Sequence, residues 1–226
     1  MQTSISQTEL IDYVSAQTNA FFPDRQTIQR SDLAKGVPDA LMRVENCFSR
    51  MRVGRYFSGK HAIFNHLYSD QYLMFLWFLS NSLWRCKISE HALNKVYLLN
   101  KCLHGFDCAF DTSLPDIFVV IHGVGTVLGK ASYSNYLVVY QGCTVGQTQG
   151  KYPSLGLGVG LGAGAAIIGN SMIGNLTSIG AGCTLINAEV EANSSVFRDD
   201  SGNLVLQRGQ PGAISKQYFS SEFLER

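Results

Sequence analysis

Of the five histidines in the chain, His122 is the one that the second half holds, and its neighbours set it apart. It follows the apolar run Val119, Val120 and Ile121 and precedes Gly123 and Gly125. A ring nitrogen in an apolar wall needs a partner, and a backbone carbonyl is the simplest one. The two glycines weigh against that reading, because backbone without Cβ atoms lets a ligand come close. An unperturbed imidazole titrates near ~6.5, so its free base is available around neutrality. The chemistry that suits it is general-base catalysis, in which the ring takes a proton from an attacking hydroxyl and returns it to the leaving group. Cys143 is a weaker candidate for a covalent route, since nothing near it in sequence supplies a base or positive charge to lower its pKa. His61, His66, His91 and His104 fall in the first half and are expected to be structural or solvated.

The segment around His122 must be held by something rigid, and the sequence after it shows what. Aliphatic residues recur every sixth position at Leu155, Leu161, Ile167, Ile173, Ile179 and Leu185, and glycine follows at once at 156, 162, 174 and 180. A hexapeptide period is the signature of a parallel β-helix, in which six residues make one flat side of a triangular coil and the aliphatic points to the axis. Each coil buries its apolar edge only against its neighbours. Upstream the period is looser but continues through Leu128, Val139 and Val145, and "QTQGKYP" (147–153) interrupts the count and is expected to bulge out as a loop. The stretch "RDDSGNLVLQRG" loses the hexads and reads as a short strand-turn-strand or an extended tail.

The first half has a different grammar. Ser6-x-x-Glu9 predicts a capping box ahead of Leu10, Val14 and Phe21, with Pro23 closing the helix. A second helix is expected after Pro38, with Leu41, Val44 and Phe48 inward, and a third over Tyr72–Trp84. A fourth runs between an N-cap at Ser89 and a stop at Gly105. The fold class is therefore α+β: an N-terminal α-helical bundle (1–105), a parallel β-helix (106–200) and a C-terminal tail (201–226).

Composition excludes several classes of function. Eighteen Lys and Arg against 17 Asp and Glu leave a formal charge of +1, with no basic field for nucleic acid. The six cysteines show no CxxC pair and no metal-ligand spacing with histidine, which reads as free thiols in a reducing cytoplasm and no bound metal. The N-terminus lacks the cationic start and apolar block of a secretory signal. The most apolar run, Tyr72–Trp84, is too short for a membrane span of about 20 residues.

Four helices feeding a hexapeptide solenoid through "FDCAFDTSLPDIFVVIHGVGTVLGKA" resemble the serine acetyltransferase family of left-handed β-helix acyltransferases. The similarity extends from about Tyr72 to Val196, and "IHGVGTVLG", "YQGCTVG" and "GLGAGAAIIGNSMIGNLTSIGAG" carry most of it. The resemblance implies that His122 is the catalytic base, oriented by Asp107; spacing alone leaves Asp111 and Asp116 as substitutes. It implies acetyl-CoA as donor, its pantetheine arm passing small residues at Gly146, Ala163 and Ala181 in a groove between subunits. Members that use serine carry an aspartate before the catalytic histidine and a second histidine in the ejected loop. Here those acceptor positions are Ile121 and Tyr152, with Lys151 beside the latter. Loss of a buried charge partner costs about 2–5 kcal/mol of binding, enough to change the acceptor.

The reading that follows is direct acetyl transfer to a small-molecule hydroxyl, serine being the best single acceptor. A sugar of surface-polysaccharide synthesis is the alternative, because Ile121 and Tyr152 make an uncharged, aromatic pocket. An idle trimeric scaffold is the alternative of another class. A triangular prism packs its flat sides in threes, so a homotrimer is expected, with the Tyr72–Trp84 helix available to pair trimers into hexamers.

Overall fold

The computed structural model describes residues 1–209 and 212–224. Four helices come first: α1 (Gln7–Phe21), α2 (Arg30–Phe48), α3 (Ser69–Arg85) and α4 (Glu90–His104). The α1 capping box is closed in both directions, with Glu9 N–H donating to Ser6 Oγ and Ser6 N–H donating to Glu9 Oε2. Ser89 Oγ accepts from Ala92 N–H at the start of α4, and Gly105 ends it in the left-handed region at φ 61°. The expected start of the second helix after Pro38 is corrected: α2 begins at Arg30 and holds Pro38 inside it. Pro38 and Ala34 lie on the exposed side, where water satisfies the carbonyl that loses its donor, while Leu33, Val37, Ala40 and Val44 keep the other side packed.

Helix α3 is buried nearly all round, from Asp70 to Leu83. Three of its buried polar side chains are paired as burial requires: Asn81 donates to Phe110 O, Ser82 to Asp39, and Gln71 to Arg55 O.

The second half is a left-handed β-helix of about four turns with three parallel faces. The first face stacks Phe118–Val120, Leu137–Val139, Gly160–Leu161, Ser178–Ile179 and Ser194–Arg198. The second stacks Val127–Leu128, Thr144–Gly146, Ala166–Ile168 and Thr184–Ile186, and the third Ser132–Tyr133, Ser154–Leu155, Met172–Ile173 and Glu189–Val190. The periodic aliphatics pair in register one coil apart, Leu155 with Ile173, Leu161 with Ile179 and Ile167 with Leu185. Upstream the partners are Val139 with Leu161 and Val145 with Ile167, four residues further apart than in the later coils. The surplus is the 147–153 segment, a tight hairpin closed by Thr148 and Lys151. Leu204–Arg208 returns antiparallel along Ser194–Arg198, the strand-turn-strand alternative of the sequence reading.

One corner of the triangle is built alike in every coil. Gly125, Gly142, Gly164 and Gly182 all have φ between 67° and 75°, which glycine adopts without strain. Their N–H groups donate in series to the coil before, Gly142 to Val124 O, Gly164 to Gln141 O and Gly182 to Ala163 O.

The first face is covered on both sides, which explains its unbroken apolar strands Phe118–Val120 and Leu137–Val139. Phe118 meets Trp77 and Phe78 of α3 at ring-centroid distances of 5.4 and 5.3 Å. Further along, Ile214 sits against Gly160, where a Cβ would fall 2.5 Å away, and Tyr218 Oη meets Tyr140 Oη at 2.6 Å. The six cysteines are free.

Close stacking makes a direct prediction. A Cβ at Gly174 would lie 2.4 Å from the backbone nitrogen of Ala192 in the next coil. Gly174→Ala is expected to cost about 1–3 kcal/mol, read as a lower urea midpoint; an unchanged midpoint would show that the coils separate freely there.

Candidate active site

His122 occupies the corner where the chain leaves the first face and enters the second. Its backbone is left-handed at φ 54°, a conformation that costs a non-glycine residue roughly 1–2 kcal/mol. A side chain from the helical half holds it there: Asp70, in the first turn of α3, accepts the His122 N–H at 3.0 Å through Oδ1. The other oxygen, Oδ2, faces His122 Nδ1 at 4.0 Å. The two side chains differ sharply in exposure, 69% for His122 and 4% for Asp70. Burial raises the Asp70 pKa, and the His122 N–H, His122, Arg55 and Tyr68 pull it back.

Asp70 and His122 lie between two cavities. The larger, about 320 Å³, is lined by Val53, Arg55, Tyr56, Tyr68, Ile121, Gln217 and Tyr218 together with this pair. Arg55 donates to Tyr68 Oη at 2.5 Å. Tyr56 is 1% exposed, and its hydroxyl finds no partner among the described residues. The smaller cavity, about 190 Å³, adds Leu73, Leu103, His104 and Gly123 on the other side of the ring.

The expectation that glycine at 123 leaves room for a ligand is corrected. The missing Cβ is filled by α3, since an added carbon would stand 2.3 Å from Leu73 Cδ1. Gly125 serves the corner turn instead.

Asp107 lies apart from the ring within the chain. Its backbone bridges to Val127 at the edge of the second face, and its carboxylate accepts from Tyr97 Oη at 2.5 Å and Lys101 Nζ at 2.7 Å. Burial alone would raise its pKa, but those two donors hold it below the ordinary carboxylate value. Asp111 pairs with Lys130 at 2.9 Å, and Asp116 lines a separate cavity with Arg43 and Asp39. Ile121 is buried in the wall of the larger cavity. Lys151 and Tyr152 belong to the hairpin that leaves after the second face, one corner beyond His122. Ala163 and Ala181 stack on the His122 corner in later coils, whereas Gly146 closes the far end of its strand. Burial pushes the Cys143 thiol up to about 11, leaving little thiolate for a covalent route. Among the described residues no group of three or more His, Cys, Asp or Glu is placed to hold a metal ion.

Sequence reasoning missed Asp70, Arg55 and Tyr56. A signal existed for the first: Asp70 is the lone carboxylate at the head of the most apolar helix, and a buried acid is seldom idle. Arg55 and Tyr56 sit in an irregular stretch whose placement no periodicity predicts.

Comparison with known proteins points one way. No family model matches the chain. A serine acetyltransferase of Synechococcus elongatus is 34% identical over 93 residues, 39% of this chain and 38% of the relative. The match thus spans well under half of that relative's length. A serine acetyltransferase of Staphylococcus aureus is 26% identical over 176 residues, 75% of this chain and 70% of the relative. Among solved structures, the serine acetyltransferase of Neisseria gonorrhoeae superposes with a TM-score of 0.68 at 18% identity, covering 89% of this chain and 79% of the other. That of Brucella abortus gives 0.67 at 16%, covering 90% and 85%. The chain is similar to serine acetyltransferases in sequence and shares their fold.

The smaller cavity carries a pH prediction. Burial depresses His104 from 6.5 to about 4, with its Nδ1 against Asn100 Oδ1 at 2.8 Å. The folded state prefers the neutral ring, so its contribution is complete above the unfolded pKa and is lost as pH falls from 6.5 towards 4. After allowance for partial exposure the loss is about 1–3 kcal/mol. His104→Gln is expected to flatten the acid limb of urea stability over that window; a parallel limb would refute the assignment.

Proposed function

We propose that this chain is an acetyl-CoA-dependent O-acetyltransferase that moves acetyl directly to the hydroxyl of a small acceptor, with serine as the acceptor named first. The observation that carries the reading is the exposed His122 imidazole beside a buried carboxylate, at the mouth of a cavity of small-molecule size. Similarity to serine acetyltransferases of S. aureus and N. gonorrhoeae supports it. One solved relative from N. gonorrhoeae is described in complex with serine.

In this mechanism neutral His122 removes the proton as the acceptor oxygen attacks the thioester carbonyl. The tetrahedral intermediate collapses, the C–S bond breaks, and the imidazolium returns the proton to the CoA thiolate. The pantetheine arm passes along the His122 corner, where Ala163 and Ala181 keep the wall low; Gly146 marks the far side of the same face. Asp107, tied to Tyr97 and Lys101, braces α4 against the first coil. In the proposed organisation the helical segment 1–105 positions the base, the solenoid 106–200 carries it, and the tail 201–226, of which 210, 211, 225 and 226 lie outside the described residues, contributes Gln217 and Tyr218 to the cavity wall.

Lys151 and Tyr152 stand one corner away, so they reach a His122 site only when a second copy brings them there. This favours a homotrimer, with a sedimentation mass three times 24.8 kDa; a monomeric mass would remove these two residues from the acceptor site. Among the described residues no helix is long and apolar enough to cross a membrane; separately, the free cysteines favour a reducing cytoplasm as the site of action. A sugar acceptor is the second reading, favoured by Ile121, Tyr68 and Tyr218 in the cavity wall.

Thiol release from acetyl-CoA, followed with a thiol-reactive dye across serine, homoserine and a sugar panel, separates these readings. Turnover with sugars alone rejects serine, and none with any acceptor leaves a scaffold. His122→Ala should lower kcat by about 10²–10⁴; a loss under about tenfold would place the base elsewhere. Ala163→Leu should raise KM for acetyl-CoA while sparing the acceptor KM, and the reverse split would move the donor groove off this corner.

A further inference from the structure

We propose that Asp70, carried on α3 of the helical half, is the positioning residue of His122, in place of any carboxylate of the solenoid. The catalytic consequence rests on the acyl-transfer reading; the geometry does not. One buried carboxylate addresses both halves of the same residue: Oδ1 takes the backbone N–H at 3.0 Å, and Oδ2 faces ring Nδ1 at 4.0 Å. The first contact holds the backbone at φ 54°. The second favours the tautomer with its proton on Nδ1, leaving the Nε2 lone pair free for the acceptor proton.

The carboxylate is itself fixed. It sits in the first turn of α3, where the helix N-terminus favours negative charge. The adjoining Leu73 fills the space beside Gly123, so the helix and the His122 corner cannot slide past each other. The rival acids stand elsewhere: Asp107 is held by Tyr97 and Lys101, Asp111 by Lys130, and Asp116 lines a separate cavity. The remaining titratable and charged groups beside the ring are Arg55, Tyr56, Tyr68 and Tyr218 across the larger cavity and His104 across the smaller. None of these is a carboxylate.

The test is Asp70→Asn, which keeps an oxygen for the backbone N–H, removes the charge and offers an amide donor to Nδ1. Protein labelled with ¹⁵N-histidine, with the His122 signals assigned by their loss in His122→Gln, reports the tautomer by long-range ¹H–¹⁵N correlation where the ring is neutral. Wild type is expected to show the proton on Nδ1, and Asp70→Asn to move it towards Nε2 with circular dichroism unchanged. With the preferred acceptor, kcat should fall about 10²–10⁴-fold with little change in KM. A wild-type ring protonated on Nε2 overturns the proposal without any variant. So does an Asp70→Asn protein that keeps the wild-type tautomer, or an Asp107→Asn protein whose tautomer changes more. If no acceptor turns over while the tautomer still follows Asp70, the acyl-transfer reading falls and the positioning role stands.

Discussion

The docking of α3 onto the first coil is the contact on which the rest of the molecule depends. Leu73 enters the space that Gly123 leaves, and Trp77 and Phe78 close on Phe118. Aromatic rings of this size bury large apolar areas with defined geometry, so the helix is fixed in register and not merely in proximity. That register sets Asp70 under His122 and opens the cavity between the bundle and the corner. Without it, the ring would project from a corner with no carboxylate behind it.

The solenoid supplies rigidity through its repeated backbone ladder. Each coil donates backbone hydrogen bonds to its neighbours along all three faces, and the glycine column carries the ladder through the corner. A residue at that corner is held by chain above it and by helix beside it. The left-handed backbone of His122 persists because both supports over-determine it, as backbone strain generally requires. The first face, covered by helix on one stretch and by Ile214 and Tyr218 on another, also joins the C-terminal segment to the cavity wall.

Legibility in the sequence followed the range of the interactions. The hexad aliphatics, the Ser6 and Ser89 caps and the Gly105 stop are set by contacts within one turn or one repeat, and each was readable from spacing. His122 was readable as well, because an imidazole among Val and Ile is anomalous wherever the chain goes. Pro38 misled, since its cost to a helix depends on whether the orphaned carbonyl meets water, and only packing decides that. Gly123 misled for a related reason: the sequence shows that a Cβ is missing but not what fills the gap.

What the sequence by itself determined is the local grammar: six-residue sides turned by small residues, helices with their own caps, and one imidazole beside an apolar run. These depend on backbone geometry and side-chain size, which repeat wherever the pattern repeats. Only the tertiary structure decided which carboxylate stands behind that imidazole, because Asp70 and His122 are 52 residues apart and meet through the packing of α3 on the first coil. It also decided that Asp107 faces Tyr97 and Lys101, and that the 147–153 hairpin leaves from a different corner than His122. Such pairings arise from the shape of two surfaces in contact, and shape at that range is written in no single stretch of chain.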